Sequence, residues 1–193
     1  MSFLKKLPER LELIRKTIGV NYSSINLYFE DESRFGLFTR NGRALTAKGI
    51  KPICPYQHKF DNTYLYGAFS PINGNSFLAE LPECNTDWFE AYLDEFSRFE
   101  PTEYKIVILD NGAFHKVLRL VIPENICLIF LPPYSPELNP AEKVWQEIKR
   151  QLVLRTFKSL HHLQEELSYI INKKLSIEAV KSITGYQFYL DLF

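Results

Sequence analysis

No stretch of this chain is apolar for more than six residues; the longest is 126–131, Ile-Cys-Leu-Ile-Phe-Leu. A membrane-crossing helix needs roughly 18–20. The opening residues, MSFLKKLPERLELIRK, are charged throughout and lack the apolar centre of a secretory signal. Cysteine is scarce: Cys54, Cys84 and Cys127 are odd in number, far apart and never in CxxC spacing. That predicts reduced thiols in a cytoplasmic protein, with no disulfide framework and no zinc site. Also absent are the GxxxxGK[ST] phosphate loop and the GxSxG nucleophile elbow. Net charge is missing too, since 23 Lys and Arg balance 23 Asp and Glu. A neutral total ordinarily argues against nucleic-acid binding. What is present is globular: 193 residues, 46% hydrophobic and 24% charged, too apolar for a disordered tail and long enough for one compact domain.

The neutrality dissolves when the charge is resolved along the chain. Residues 33–60 hold six bases (Arg34, Arg40, Arg43, Lys48, Lys51, Lys59) and no acid. Residues 61–103 hold nine acids and one base, and 143–158 hold five bases and one acid. A single run of this kind reads as a solvated face. Two basic segments flanking an acidic centre are also what an enzyme acting on a polyanion needs.

Apolar spacing of three to four predicts an amphipathic helix over 4–18, with Pro8 near its start. Residues 25–30 predict a short strand, followed by a long Gly- and Pro-bearing loop holding at most a short hairpin. Strands over 63–70 and 76–81 are joined by the turn Pro-Ile-Asn-Gly. A helix over 85–99 carries the stripe Trp88, Phe89, Tyr92, Leu93, Phe96. Strands over 104–109 and 126–131, a short helix over 112–121 between them, and helices over 140–154, 160–174 and 177–183 complete the chain. The order predicts an α/β domain with a five-stranded mixed sheet flanked by helices, three antiparallel strands beside two parallel ones.

Three carboxylates fall where such a sheet exposes side chains. Asp31 follows the first predicted strand, Asp110 ends the strand KIVILD, and Glu142 lies in the first turn of the helix entered through Asn139-Pro140. Each has a bland alternative. Asp31 suits a turn, Asp110 a helix cap, and Asn139, Pro140 and Glu142 a capping box. Taken together, acids without a His/Cys cluster suit Mg²⁺, a hard ion that takes carboxylate oxygens and keeps several waters. A pair of such ions serves in-line displacement at phosphorus.

FEDESRF (29–35), ILDNGAFHK (108–116) and LPPYSPELNPAEKVWQEIKR (131–150) resemble the catalytic blocks of bacterial insertion-sequence transposases of the mariner superfamily. With YGAFSPING and RNGRALTAKGIKP, the resemblance runs from about residue 25 to 157. It implies a ribonuclease-H-like fold and an Asp-Asp-Glu triad of metal ligands and catalytic groups, Asp31, Asp110 and Glu142. Implied with it are Mg²⁺ or Mn²⁺, as two ions, and double-stranded DNA as partner, comprising terminal repeats and target. A homodimer on DNA, a helix-turn-helix region missing or encoded upstream, and a bacterial, nucleoid-associated location also follow from the likeness. The spacing of 31 residues between Asp110 and Glu142 is a few shorter than the family pattern. Arg34, Arg40, Arg43, Lys48, Lys51, Lys149 and Arg150 are the candidate phosphate contacts. Glu32, Asn111 and His115 are candidate supports for the triad, with His115 equally suited to packing. Trp145, three residues after Glu142, suits either core or base stacking. The expected organisation is an N-terminal helix or linker over 1–24, a catalytic domain over 25–158 and C-terminal helices over 159–193 packed on it. Two rivals stand beside a transposase: a ribonuclease-H-like nuclease of other specificity, and a non-catalytic DNA- or partner-binding fragment.

Overall fold

A computed structural model describes residues 2–18, 22–39, 42, 45–112 and 120–193. Five strands form one sheet: β1 (Ser24–Gly36), β2 (Asn62–Phe69), β3 (Ser76–Leu81), β4 (Glu103–Leu109) and β5 (Ile126–Phe130). Their spatial order is β3-β2-β1-β4-β5. The β1–β2 and β2–β3 pairs are antiparallel, while β1–β4 and β4–β5 are parallel. The mixed sheet expected from the sequence is therefore the one observed. The chain leaves β1 for β2 on one side and leaves β4 for β5 on the other, which makes the β1/β4 boundary the switch point where open α/β sheets bind ligands.

The helices are α1 (Ser2–Ile18), α2 (Thr86–Arg98), α3 (Ala141–Arg150), α4 (Leu160–Lys174), α5 (Ile177–Thr184) and α6 (Gln187–Leu190). Strand alternation divides the apolar residues between two faces. Tyr28, Tyr66, Val107, Leu109 and Leu128 meet Phe89, Tyr92, Leu93 and Phe96 of α2. Leu27, Phe29, Leu65, Phe69, Ile106, Ile108 and Ile129 meet the other helices, through Leu7 and Leu11 of α1, Val144, Trp145 and Ile148 of α3, and Leu163 and Leu167 of α4. Among the described residues no helix is long and apolar enough to cross a membrane.

Two boundaries differ from expectation, and both bear on the site. The first strand does not stop at residue 30. It continues to Gly36 because β2 pairs with it throughout, from Phe29↔Phe69 to Gly36↔Asn62. Asp31 thus sits inside β1 and not at its end. A run of three acids hides a strand that a neighbour's hydrogen bonds maintain. The helix expected to reach residue 154 ends at Arg150, and Leu154 holds a left-handed φ of 59° that no α-helix accommodates. The short helix expected over 112–121 lies mostly outside the described residues.

The stretch read as a long loop contains a ribbon. Leu37 N–H donates to Asp61 O (3.0 Å) and Thr39 N–H to Gln57 O (3.1 Å), extending the β1–β2 pair beyond the sheet.

Candidate active site

The β1–β4 ladder ends at Phe29↔Ile108, whereas β1 runs on beside β2. From Glu30 onward, β1 therefore has a neighbour on one side only. Asp31 lies on this freed stretch, and Asp110 is the first residue beyond β4. Alternation puts Asp31 on the face of Phe29 and Asp110 on that of Ile108, both toward α3. Glu142 enters from α3. Asp31, Asp110 and Glu142 all line one cavity of about 370 Å³, walled further by Asn111, Gly112, Asn139 and the turn 131–136.

Each carboxylate has its own local support. Gly112 N–H donates to Asp110 Oδ1 (2.8 Å), so one oxygen is held by the chain turning after β4. Glu142 owes its place to Asn139. The Asn139 amide donates from Nδ2 to Glu30 O (2.9 Å), and its Oδ1 accepts from Ala141 N–H (3.1 Å). One buried side chain thus caps α3 and ties it to the residue before Asp31. The capping box, the alternative reading for Glu142, is not formed: Asn139 N–H donates to Pro136 O (2.9 Å). Glu142 is turned to the cavity instead. Asn139→Ala is expected to cost about 1–3 kcal/mol, through loss of the cap and an orphaned buried carbonyl. Urea unfolding measures it, and a loss under about 0.5 kcal/mol would mean that water replaces the amide.

Among the described residues, no Lys, Arg or His lines the cavity. Burial first, then Glu32, Glu142 and Asp110, push the Asp31 carboxyl well above the usual carboxylate range. Oxygen donors around a polar opening fit a hard divalent cation that keeps part of its water shell. Among the described residues, no three His, Cys, Asp or Glu side chains close tightly enough on one point to hold an ion by themselves. Any ion here would be held by part of the set at once, with water completing its shell.

Glu30 was not singled out by the sequence, although it starts the same acidic run. It faces α2, is fully buried, and neither carboxylate oxygen has a hydrogen-bond partner among the described residues. Burial, then Glu32, Asp31, Asp110 and Cys84, raise its pKa well above the ordinary value. A raised folded-state pKa means that the folded chain holds more protons than the unfolded one between the two pKa values. Stability without metal therefore falls as pH rises through that window, and the penalty is absent below the unfolded value of about 4.3. Glu30→Gln is expected to raise the melting temperature at neutral pH and to flatten its decline as pH rises above the ordinary carboxylate range. Melts in chelator from acid to neutral pH test this; an unchanged slope would assign the decline to the other buried carboxyls with raised pKa, Asp31 and Glu103.

The remaining candidates scatter. Glu32 lies on the α2 side, as strand alternation predicts. Asn111 lines the cavity with its Oδ1 buried and without a hydrogen-bond partner among the described residues. Arg34, Lys48 and Lys51 are exposed on or after β1. Lys149 Nζ sits 5.7 Å from the Phe35 ring centroid, and Arg150 pairs with Glu147 at 2.7 Å. Arg40, Arg43 and His115 lie outside the described residues. Trp145 is core, 1% exposed between Phe35 and Phe69. Tyr134 stands at the cavity wall, within the motif over 131–150. Its φ of 58° is left-handed and its side chain is fully exposed, a strained conformation of the kind found at functional clefts.

Known proteins share this fold. The Mos1 strand transfer complex matches with a TM-score of 0.66 at 16% identity, over 93% of this chain and 56% of that one. The Mos1 mariner paired-end complex with Mn matches at 0.67 and 15%, over 92% and 56%. The fold is thus ribonuclease-H-like, as in those transposase structures. The protein y4pE/y4sA of Sinorhizobium fredii is 42% identical over 84 residues, 43% of this chain and 62% of that protein. The chain thus spans less than two thirds of the relatives it matches. Residues 26–164, which include all three cavity carboxylates and both strands that present the aspartates, match the DDE superfamily endonucleases, and to that family the chain belongs.

Proposed function

We propose that the chain is the catalytic domain of a DNA transposase, cutting phosphodiester bonds at element ends and joining the freed 3′-hydroxyl to target DNA. The observation that carries this reading is the convergence of Asp31, Asp110 and Glu142 from three separate elements on one cavity. In this reading the three carboxylates hold Mg²⁺ or Mn²⁺, as two ions. When bound, such ions supply Lewis acidity at a phosphoryl oxygen and a lowered pKa for attacking water. The chain's own part is placement. Gly112 N–H fixes one Asp110 oxygen, and Asn139 fixes the helix that carries Glu142. Arg34, Lys48, Lys51, Lys149 and Arg150 hold DNA phosphates without reading sequence. Both chemical steps are in-line displacements at phosphorus, so one set of carboxylates serves both.

The same proposal has the protein assemble as a homodimer on DNA in the bacterial nucleoid, with terminal-repeat recognition by a helix-turn-helix region outside this chain. Support comes from the family and from Mos1 transposase, which is seen in a paired-end complex with the left transposon end. The test uses labelled duplex carrying the element's terminal repeat beside an RNA–DNA hybrid of the same sequence. Metal-dependent cutting of the duplex in preference to the hybrid is the expected result. Preference for the hybrid assigns the chain to another ribonuclease-H-like activity, and cutting in chelator overturns the metal-dependent mechanism.

A further inference from the structure

The ribbon formed by 37–39 and 57–61 has two unlike faces. Its inner face is fastened to the body. Leu37 and Thr39 are buried, and the Gln57 side chain grips the Phe157 backbone from both ends, Nε2 donating to Phe157 O (2.8 Å) and Oε1 accepting from Phe157 N–H (2.9 Å). Its outer face carries four rings in mutual contact. Phe38 lies 5.7 Å from Tyr56, 5.4 Å from His58 and 5.9 Å from Phe60 between centroids, and His58 lies 4.7 Å from Phe60. Among the described residues no helix covers these rings. Phe38 is 41% exposed, Tyr56 63% and Phe60 70%. Beside them is a cavity of about 620 Å³ that Arg34, Phe38, Lys59 and Phe60 help to line, with Asp61 as its one acid.

We propose that this outer face is a stacking platform for unpaired bases of single-stranded DNA. Contiguous exposed rings mark an interaction surface, since four of them left in water have no structural use. The charge around them selects the partner: residues 33–60 carry six bases and no acid, which suits a polyanion. The rings then select its state. In a duplex the base faces are covered by their neighbours, so an aromatic side chain can stack only on bases that are unpaired. The rings begin at Phe38, seven residues beyond Asp31 along the chain, about 23 Å at the usual rise per residue, and alternation puts them on the other face of the strand. A strand whose phosphate lies in the acidic cavity reaches them within several nucleotides by passing the edge of β1 that β4 leaves free. Because Gln57 clamps the inner face, the platform is already formed before DNA arrives. The proposal rests on the DNA-processing reading only for the choice of DNA over RNA.

Fluorescence anisotropy in chelator tests it, so that no cutting occurs. The probes are a blunt duplex, the same duplex with a single-stranded 3′ tail, and single-stranded oligothymidylate. The tailed duplex and the oligothymidylate are expected to bind more tightly than the blunt duplex. Tyr56→Ala and Phe60→Ala each weaken binding of those two by about tenfold, leave the blunt duplex unchanged and keep the salt dependence. Tyr56→Phe, which retains a ring, restores the affinity. Lys59→Ala instead weakens all three probes and lowers the salt slope by about one. Equal affinity for blunt and tailed duplex in the parent overturns the proposal. So do alanine variants that change sedimentation and leave DNA affinity intact, since the rings would then be a contact between copies of the chain. Failure here leaves metal-dependent cleavage standing, and absence of cleavage leaves this binding result standing.

Discussion

Asp110→Asn is expected to lower metal-dependent DNA cleavage by about a thousandfold or more while the protein stays folded. The loss is large because Asp110 occupies the one position where β4 ends and the cavity begins, and no neighbouring acid has a backbone that could substitute. Asn keeps the size and retains an oxygen to accept the Gly112 N–H bond, so the turn after β4 survives. It removes one of the charges that raise the Asp31 pKa. Metal-free stability is therefore expected to hold or rise slightly, which separates loss of chemistry from loss of fold. Addition of Mg²⁺ should raise the melting temperature of the parent by mass action and leave that of the variant nearly unmoved. Retained cleavage would remove Asp110 from the site; lost cleavage with an unchanged metal-induced shift would leave it a role other than holding metal.

How far the site was legible depended on whether its residues answer to local or to distant partners. Asp110 was readable because KIVILD is a buried strand whose first polar residue has to mark its exit from the sheet. Glu142 was readable as a first-turn residue, but its local pattern also fitted a capping box. Only the fold decides between these, since the competing donor, Asn139 N–H, is taken by Pro136 O. Asp31 was identified but placed at a strand end, because three successive acids mimic a turn while β2 supplies the hydrogen bonds that keep them extended. Glu30 escaped notice because its burial comes from α2, more than fifty residues away in sequence. The outer face of the ribbon left only a short alternation, Tyr56, His58 and Phe60, at the end of a stretch rich in Gly and Pro. Phe38 and Phe60 are neighbours only through two backbone hydrogen bonds across a long connection. The mixed character of the sheet followed from element order and connection length, whereas the strand order and the gap between β1 and β4 required the pairing register.

Gly67 and Trp145 should be strongly coupled. Gly67 pairs with Asp31 in the β1–β2 register. A Cβ placed on it would lie 2.7 Å from Trp145 Cη2, 2.8 Å from Cζ2 and 2.7 Å from Phe69 Cζ, closer than real contacts allow. The absent side chain is what lets the indole approach the β2 backbone this closely. Trp145 is one turn after Glu142 on α3, so the seat of the indole also fixes the carboxylate. Gly67→Ala is expected to cost about 1–3 kcal/mol by overpacking, and Trp145→Ala about 3–5 kcal/mol by leaving a cavity. Trp145→Phe is the informative partner. It deletes the benzo-ring atoms that the new methyl would strike, and it removes an indole N–H that is buried without an acceptor among the described residues. Gly67→Ala with Trp145→Phe should therefore be more stable than the sum of the single effects by about 0.5–3 kcal/mol. Cleavage should follow the same cycle, reduced by Gly67→Ala alone and partly restored in the double variant as α3 reseats Glu142. Urea unfolding of the four proteins gives the coupling directly. Strict additivity would show that the glycine is needed for β2 itself and not for the approach of α3.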